Sequence, residues 1–167
     1  MIFDFSRIKN SKNLLAFSGG VDSSALFFLL LNHKIDFDIA IVNYNTREQS
    51  KDEIAYALNL AKEYKKEIFI KDVKLENSSN FEKNARDIRY GFFEQIIKEN
   101  SYETLITAHQ LNDRLEWFLM QLSKGAGLVE LIGFNEFEQK ENYKIYKPLL
   151  NITKEQLENY LKINNYK

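Results

Sequence analysis

The chain has 167 residues, of which 44% are hydrophobic and 28% are charged, and its formal net charge is −1. This composition suits one domain with a hydrophobic core, and it excludes both a disordered chain and a fibrous one. Because the sequence contains no cysteine, it also excludes a disulfide scaffold, a thiolate-ligated zinc site, an iron–sulfur cluster and a cysteine nucleophile.

The near-neutral charge limits the partners that the chain can bind by itself. Domains that bind nucleic acid alone are usually much more basic, so we expect only weak binding of RNA or DNA. The first residues do not form a basic region followed by an apolar run. The longest apolar run, residues 25–31, is far too short to cross a bilayer. We therefore expect a soluble, cytoplasmic protein with no membrane partner.

Strand-like and helix-like patterns alternate along the chain. Short apolar or β-branched stretches predict strands at residues 14–17, 38–42, 67–73 and 104–108. Apolar residues at helical spacing predict helices at about residues 22–32, 47–64, 81–98 and 111–123. We expect a last strand within residues 143–150, ended by Pro148. Thr153 and Gln156 then form a capping box that predicts one more helix.

This alternation predicts an α/β fold, with a parallel sheet of about five strands and helices on both faces. Ligands of such sheets bind beyond the carboxyl ends of the strands. The fourth helix is predicted to pack through a buried stripe of Leu115, Phe118, Leu119 and Leu122. We expect residues 1–167 to form one domain, and the pattern at its end is compatible with one domain of a longer protein.

The strongest motif lies between the first predicted strand and the first predicted helix. It consists of Ser18, Gly19, Gly20, Val21, Asp22, Ser23 and Ser24. Two glycines let the backbone turn sharply, and amides at the start of a helix favour an anion, so the segment suits a pyrophosphate group. A carboxylate at Asp22 beside phosphates indicates a magnesium ion between the like charges. The alternative is an ordinary strand-to-helix turn whose serine and aspartate only cap the helix.

These seven residues resemble the S-G-G-x-D-S loop of the N-type ATP pyrophosphatase superfamily, also called the PP-loop superfamily. The sequence contains no Walker loop, no G-x-G-x-x-G segment and no G-x-S-x-G nucleophile elbow. The resemblance implies that residues 18–24 bind ATP and that Asp22 holds magnesium. It also implies adenylation, in which ATP is cleaved between its α- and β-phosphates, a substrate oxygen receives AMP, and a nucleophile displaces the AMP.

Four further segments are similar to motifs of the tRNA(Ile)-lysidine synthetase family. They are residues 85–90, 107–116, 125–133 and 147–150, and they stand in the family's order along nearly the whole chain. Residues 42–53 resemble a further family segment only loosely. The sequence departs from the family pattern at Asn43 and Tyr44 in that segment, and at Gln110, Asn112 and Arg114. The family's C-terminal tRNA-binding domains are not among these 167 residues, which agrees with the near-neutral charge.

Three polar residues of the second segment are candidates for binding a substrate. His109, Asp113 and Glu116 have the spacing i, i+4 and i+7, which places them on one face of a helix. Two carboxylates and a histidine suit a small cation such as free lysine. The resemblance favours this interpretation over a solvated face with a capping histidine. We expect His109 to accept a proton from the attacking amine, because an ordinary histidine has a pKa near the working pH.

Two arginines of the first segment are candidates for stabilising phosphate charge, because a guanidinium group matches phosphate geometry. The resemblance assigns catalysis to Arg89, whereas Arg86 is equally compatible with a surface salt bridge. The implied catalytic residues are Asp22, Arg89, His109 and Asp113, and the implied lysine-binding residues are His109, Asp113 and Glu116.

By resemblance, the reaction joins free lysine to the wobble cytidine of a minor isoleucine tRNA through an adenylated base, and it yields lysidine, AMP and pyrophosphate. A homodimer is among the expected assemblies. Two alternatives stay open: another PP-loop adenylating enzyme that acts on a tRNA or a small molecule, and a nucleotide-binding module without catalysis. A tRNA thiolase is disfavoured, because such thiolases generally use cysteines and this chain has none.

Overall fold

The computed structural model describes residues 3–45, 49–73, 81–125, 127 and 135–166. The strands are β1 (Asn13–Phe17), β2 (Asp38–Asn43), β3 (Ile68–Asp72), β4 (Thr104–Thr107), β5 (Phe137–Gln139) and β6 (Lys144–Tyr146). The helices are α1 (Val21–Asn32), α2 (Gln49–Glu63), α3 (Phe81–Asn100), α4 (Leu111–Ser123) and α5 (Lys154–Ile163), and a short 3-10 helix, Ser6–Ile8, precedes β1.

The described strands form one six-stranded sheet in the order β3-β2-β1-β4-β6-β5. Neighbouring strands run parallel except β5, which pairs antiparallel with β6 at one edge. The predicted α/β fold with a mostly parallel sheet is therefore confirmed, and the three-residue β5 is the strand that the sequence pattern missed. The last strand predicted within residues 143–150 is β6, and it ends before Pro148, which has no N–H to donate to a strand ladder.

Successive residues of the central strands are buried on opposite faces of the sheet. Leu15 of β1 and its register partner Ile106 of β4 pack in one core cluster with α1, α2 and α5. Leu14 and its register partner Leu105 pack in a second cluster with α3. Because both faces are covered, successive residues such as Leu14 and Leu15 in β1 and Leu105 and Ile106 in β4 are apolar instead of alternating with polar ones. The prediction of helices on both faces is confirmed.

Helix α4 packs differently from the prediction. The four residues of the expected buried stripe are exposed: Leu115 by 56%, Phe118 by 40%, Leu119 by 53% and Leu122 by 54%. The helix has no buried residue. The prediction of a buried stripe is therefore wrong. Helical spacing identifies apolar residues that share a face, but it does not say what covers that face.

The capping box predicted before the last helix is present at the start of α5. The Gln156 amide donates to Thr153 Oγ1 at 3.2 Å, and Gln156 Oε1 accepts the Thr153 amide at 2.9 Å. Most of the predicted motif at residues 125–133 lies outside the described residues, as do residues 47 and 48 of the second predicted helix. No helix in the described part of the chain is long and apolar enough to span a membrane.

Candidate active site

The candidate site lies where the order of the strands reverses. After β1 the chain adds β2 and β3 on one side, and β4 then pairs with β1 on the other side. In open parallel sheets, ligands bind beyond the carboxyl ends of the strands at such a switch point. A cavity of about 290 Å³ opens there, and we call it the switch-point cavity. Its wall includes Ser18, Asp22, Ser23, Arg89, His109 and Asp113.

The loop after β1 is a tight turn that packs against α2. Gly19 has a φ of +78°, which other residues rarely adopt. A Cβ atom on Gly19 would lie 2.8 Å from Glu53 Cβ, so a larger residue has no room. The Ser23 hydroxyl donates to the Gly20 carbonyl at 3.0 Å, and the Ser18 and Ser23 hydroxyls lie 3.1 Å apart. The glycine and the two serines therefore fix the shape of the turn.

The start of α1 has no side-chain cap. Gly20 occupies the cap position with an extended backbone and supplies no side-chain acceptor to the first turn. The structure thus does not show the capped turn that the sequence left as an alternative. First-turn amides of this kind are the donors that anions use at helix starts. Ser24 is buried and hydrogen-bonds with the Tyr56 hydroxyl instead, and Val21 is exposed.

Asp22 carries a carboxylate oxygen that fits a cation. Its Oδ1 atom is buried, and it has no hydrogen-bond partner within the described ranges. Burial raises the pKa of Asp22, Asp113 raises it further, and Lys154 opposes both effects. Among the described residues, no three histidine, aspartate or glutamate side chains form a metal-binding group. One carboxylate nevertheless suffices for magnesium that is also bound by phosphate and water oxygens.

His109 follows β4 and faces the same cavity. Its Nδ1 atom lies 2.9 Å from the Thr107 hydroxyl, which fixes the orientation of the ring. Burial lowers the pKa of His109 to about 4; Asp113 counteracts this shift, and Lys147 and Arg89 add to it. The expectation of a pKa near the working pH is therefore not met, because desolvation disfavours the charged imidazolium. At neutral pH the ring is uncharged.

Asp113 lines the cavity and also caps the start of α4. Its Oδ2 atom accepts a hydrogen bond from the Gln110 amide at 2.8 Å, and Gln110 Oε1 accepts one from the Asn112 amide at 2.8 Å. These two bonds form a capping box that closes the start of α4. Glu116 is exposed on α4, and it does not line the switch-point cavity. The structure thus brings two of the three predicted lysine-binding residues to this cavity.

Helix α3 supplies both candidate arginines. Arg89 lines the switch-point cavity, and its guanidinium carbon lies 5.9 Å from the centre of the Tyr90 ring. Arg86 is exposed and lies 5.3 Å from the same ring. The Tyr44 hydroxyl donates to the Ala85 carbonyl at 2.8 Å, which ties α3 to the end of β2. The four predicted catalytic residues, Asp22, Arg89, His109 and Asp113, therefore share one cavity.

An ion pair next to this cavity, between Lys147 and Glu138, was not predicted from the sequence. The ammonium group of Lys147 lies 3.1 Å from Glu138 Oε2, and the lysine side chain is only 7% exposed. Both residues line a second cavity that also contains Arg86 and His109. Lys147 belongs to the segment 147–150 that resembles a family motif, but a lysine within a predicted strand does not reveal its own burial. Glu138 lies in β5, whose three residues give no periodic signal.

A model of the PP-loop domain matches residues 3–167. The chain belongs to the PP-loop domain family. This membership agrees with the uncapped loop after β1.

Curated relatives named tRNA(Ile)-lysidine synthase match nearly all of this PP-loop chain. The protein from Campylobacter jejuni is 54% identical over 155 residues, which are 93% of this chain and 48% of that protein. The protein from Helicobacter pylori is 54% identical over 155 residues, which are 93% of this chain and 46% of that protein. The chain thus spans about half the length of the curated relatives it matches.

Solved structures share the fold of this PP-loop domain at low sequence identity. The U34-tRNA thiolase NcsA from Methanococcus maripaludis, solved with its 4Fe–4S cluster, has a TM-score of 0.82 and 22% identity, over 99% of this chain and 60% of that one. The NH3-dependent NAD synthetase from Campylobacter jejuni has a TM-score of 0.62 and 17% identity, over 96% of this chain and 68% of that one. These similarities show the fold alone.

Proposed function

We propose that this chain is the ATP-using part of a tRNA(Ile)-lysidine synthase. The observation that carries the proposal is the switch-point cavity, where an uncapped helix start and the unpaired Asp22 Oδ1 share one wall with His109 and Asp113. The curated relatives with this name favour a tRNA and free lysine over the substrates of other PP-loop enzymes, because they match 93% of the chain at 54% identity.

The proposed reaction is a ligation that forms a carbon–nitrogen bond. The carbonyl oxygen of the wobble cytosine attacks the α-phosphorus of ATP, and pyrophosphate leaves. The side-chain ammonium of free lysine loses one proton to become the neutral amine, which forms a bond with the activated ring carbon and gives up a second proton; both protons pass to water. AMP leaves with the former carbonyl oxygen. This two-step route suits a site that binds phosphate through backbone groups and contains no cysteine nucleophile.

Three groups of residues in the switch-point cavity have proposed roles in binding and activating ATP. The loop of residues 18–24 binds the pyrophosphate portion of ATP through the first-turn amides of α1. Arg89 stabilises the negative charge that develops on the transferred phosphate. Asp22 is the residue that would hold magnesium, and the ion would neutralise phosphate charge when bound. The buried, unpaired Asp22 Oδ1 supports this assignment.

The lysine amine is proposed to bind beside His109 and Asp113. Because burial keeps the pKa of His109 at about 4, its imidazole is neutral and does not repel a lysine ammonium. The Asp113 carboxylate attracts the ammonium. Glu116 lies on α4 about one turn beyond Asp113 and is exposed, so its proposed contribution is longer-range attraction of the cation.

The test measures AMP release from ATP by the purified chain with a minor isoleucine tRNA transcript and free lysine, leaving out each component in turn. We expect AMP together with lysine-labelled tRNA only when all three are present. AMP release that needs a different acceptor would indicate another PP-loop adenylating enzyme. ATP binding without AMP under every condition, even after addition of the carboxyl-terminal half of the Campylobacter jejuni relative, would indicate a nucleotide-binding module.

A further inference from the structure

Tyr44 directly follows β2, and it is one of the residues at which the sequence departs from the family pattern. Its side chain is partly buried and does not line the switch-point cavity. Its hydroxyl donates to the Ala85 carbonyl of α3 at 2.8 Å. Because the two residues are 41 positions apart in the sequence, this hydrogen bond joins separate elements of the fold.

The Ala85 carbonyl has a specific place in the register of α3. In an α-helix, each carbonyl accepts a hydrogen bond from the amide four residues later, so this carbonyl is the helical acceptor of the Arg89 amide. A carbonyl oxygen has two lone pairs and can accept both bonds. The Tyr44 hydroxyl is therefore attached to the peptide group one turn before the arginine that lines the switch-point cavity.

The half of α3 that carries Arg89 is packed less deeply than the other half. The buried residues of α3 in the core cluster around Leu14 are Phe93, Ile96 and Ile97, which all follow Arg89. Residues 83, 84, 86 and 87 are exposed. A segment with few buried apolar contacts opens more easily than a core segment. The hydrogen bond from Tyr44 thus restrains the part of the helix that is least held by packing.

The charge of Arg89 acts on both Tyr44 and His109. Burial raises the pKa of the Tyr44 hydroxyl, and the Arg89 guanidinium opposes that shift. The same guanidinium contributes to the low pKa of His109. Because the pKa of Tyr44 lies above its ordinary value of about 10, the hydroxyl is protonated at neutral pH and can donate to the Ala85 carbonyl.

We infer that Tyr44 is a positioning residue for Arg89: by anchoring the Ala85 carbonyl, it holds the guanidinium beside the phosphate that is transferred. The inference rests on the proposed function, because that phosphate belongs to the proposed reaction. A cation stabilises a transition state best when it is already in place, and a displacement of about 1 Å can lower a rate by about a hundredfold. Tyr44 therefore contributes to catalysis without touching the substrate.

The first test is the variant Tyr44→Phe, which removes only the hydroxyl, in the AMP-release assay with tRNA and lysine. We expect kcat to fall by about tenfold and the KM values for ATP and lysine to change by less than about twofold, because Arg89 acts on charge that develops in the transition state. An unchanged kcat would overturn the inference. A higher KM for ATP with unaltered kcat would do so too, because the hydroxyl would then contact the nucleotide directly.

Tyr146→Phe is the matched control. The Tyr146 hydroxyl also donates to a main-chain carbonyl, that of Asp4 at 2.9 Å, and Tyr146 does not line the switch-point cavity. This variant should lower the Tm about as much as Tyr44→Phe and leave kcat unaltered. Equal losses of kcat in the two variants would show that Tyr44 acts only through general stability, and they would contradict the inference.

A double-mutant cycle tests whether Tyr44 acts through Arg89. In single-turnover measurements of AMP release, Tyr44→Phe should cause no further loss of rate in a chain that already carries Arg89→Gln, because the positioned guanidinium is absent. If the two losses multiply, Tyr44 serves another group and the inference is wrong.

A spectroscopic measurement tests the anchor without the reaction. The chain has five arginines, so the side-chain Nε–H signal of Arg89 can be assigned in a ¹⁵N NMR spectrum by its absence from Arg89→Gln. We expect Tyr44→Phe to shift or broaden this signal and Tyr146→Phe to leave it in place. An Arg89 signal that Tyr44→Phe does not change contradicts the anchor, whatever the activity of the chain. The expected change in a chain that releases no AMP supports the anchor and contradicts the proposed reaction.

Discussion

Two strand-to-helix junctions meet at the switch-point cavity, and they are built differently. At the start of α1, Gly20 provides no side-chain cap. At the start of α4, the side chain of Gln110 accepts from the Asn112 amide, and Asp113 accepts from the Gln110 amide. The first junction therefore offers backbone amides to a ligand, whereas the second satisfies its own amides and offers side chains.

The helices that follow the two junctions also differ in burial. Helix α1 has eight buried residues, from Ser23 to Leu30, whereas α4 has none. The first junction is thus held by the core, while the junction that carries Asp113 depends on its capping box and on bonds such as that from the Leu111 amide to the Ile152 carbonyl at 3.0 Å. One cavity can therefore combine a junction that is packed into the core with a junction whose helix has no buried residue.

The largest expected effect comes from the first junction. Asp22→Asn should lower AMP release by at least about a hundredfold, because the amide cannot hold a cation against phosphates. The free energy of unfolding should change little, since burial raises the pKa of Asp22 and its charge therefore contributes no stability. Enzyme assays and urea unfolding of the same sample measure the two quantities.

Asp52→Asn is the matched control, because Asp52 is an exposed aspartate in the first turn of α2. It should leave both AMP release and unfolding unaltered. Large destabilisation by Asp22→Asn would show that the carboxylate has a structural partner, and it would remove the argument for a cation at this position.

The contrast in burial predicts unequal costs of removing leucine side chains. Leu26 of α1 is 0% exposed, whereas Leu119 of α4 is 53% exposed. Leu26→Ala should lower the free energy of unfolding by about 2–5 kcal/mol through lost burial and a new cavity. Leu119→Ala should change it by less than about 0.5 kcal/mol. Similar losses in urea unfolding would show that the apolar face of α4 is covered in solution.

The central strands and the first junction could be predicted because the residues that indicate them are neighbours in the sequence. Continuous apolar runs such as residues 14–17 report burial on both faces of a parallel sheet, and the turn at residues 18–20 marks the first junction. The edge strand β5 has only three residues, too few for any period. The packing of α4 depends on what lies opposite its apolar face, and no residue spacing encodes that information.

The candidate site was predictable where residues share a motif and less so where distant segments meet. Asp22 and His109 lie in segments whose order and spacing carry the signal. The low pKa of His109 arises from burial and from Lys147, which is distant in sequence. The pairing of Lys147 with Glu138 likewise depends on the β5–β6 hairpin. Such desolvation and pairing are properties of the folded chain, so sequence analysis could not supply them.

The second junction predicts a pH dependence of stability. The pKa of His109 is about 4 in the folded chain and about 6.5 in an unfolded one. Between these values the unfolded chain binds a proton that the folded chain does not, so stability falls as the pH decreases from 6.5 towards 4. Urea unfolding at pH 7 and pH 4.5 should show this loss, about 2 kcal/mol, relative to His109→Gln. A difference between the two proteins that does not change with pH would contradict the burial of the ring.

The two acidic residues of α4 should contribute unequally to the use of lysine. Asp113→Asn keeps an oxygen that can cap the Gln110 amide but removes the charge, so it should raise the KM for lysine by about tenfold with little loss of stability. Glu116→Gln should change the KM by less than about threefold, because Glu116 is exposed and outside the switch-point cavity. Steady-state kinetics at saturating ATP measure the KM for lysine of both variants. A larger increase for Glu116→Gln than for Asp113→Asn would indicate that the lysine amine binds near Glu116.

The smallest expected effect comes from giving α1 the kind of cap that α4 already has. Gly20 has an extended backbone with φ −79°, and a Cβ atom there would meet Ser18 Oγ at an ordinary 3.5 Å, so asparagine fits. Gly20→Asn should stabilise the fold by only about a few tenths of a kcal/mol, since glycine is itself a fair N-cap. The new side chain would compete with phosphate for the first-turn amides and weaken ATP binding by about threefold to tenfold. Unchanged ATP affinity in a correctly folded variant would mean that these amides do not bind the phosphates.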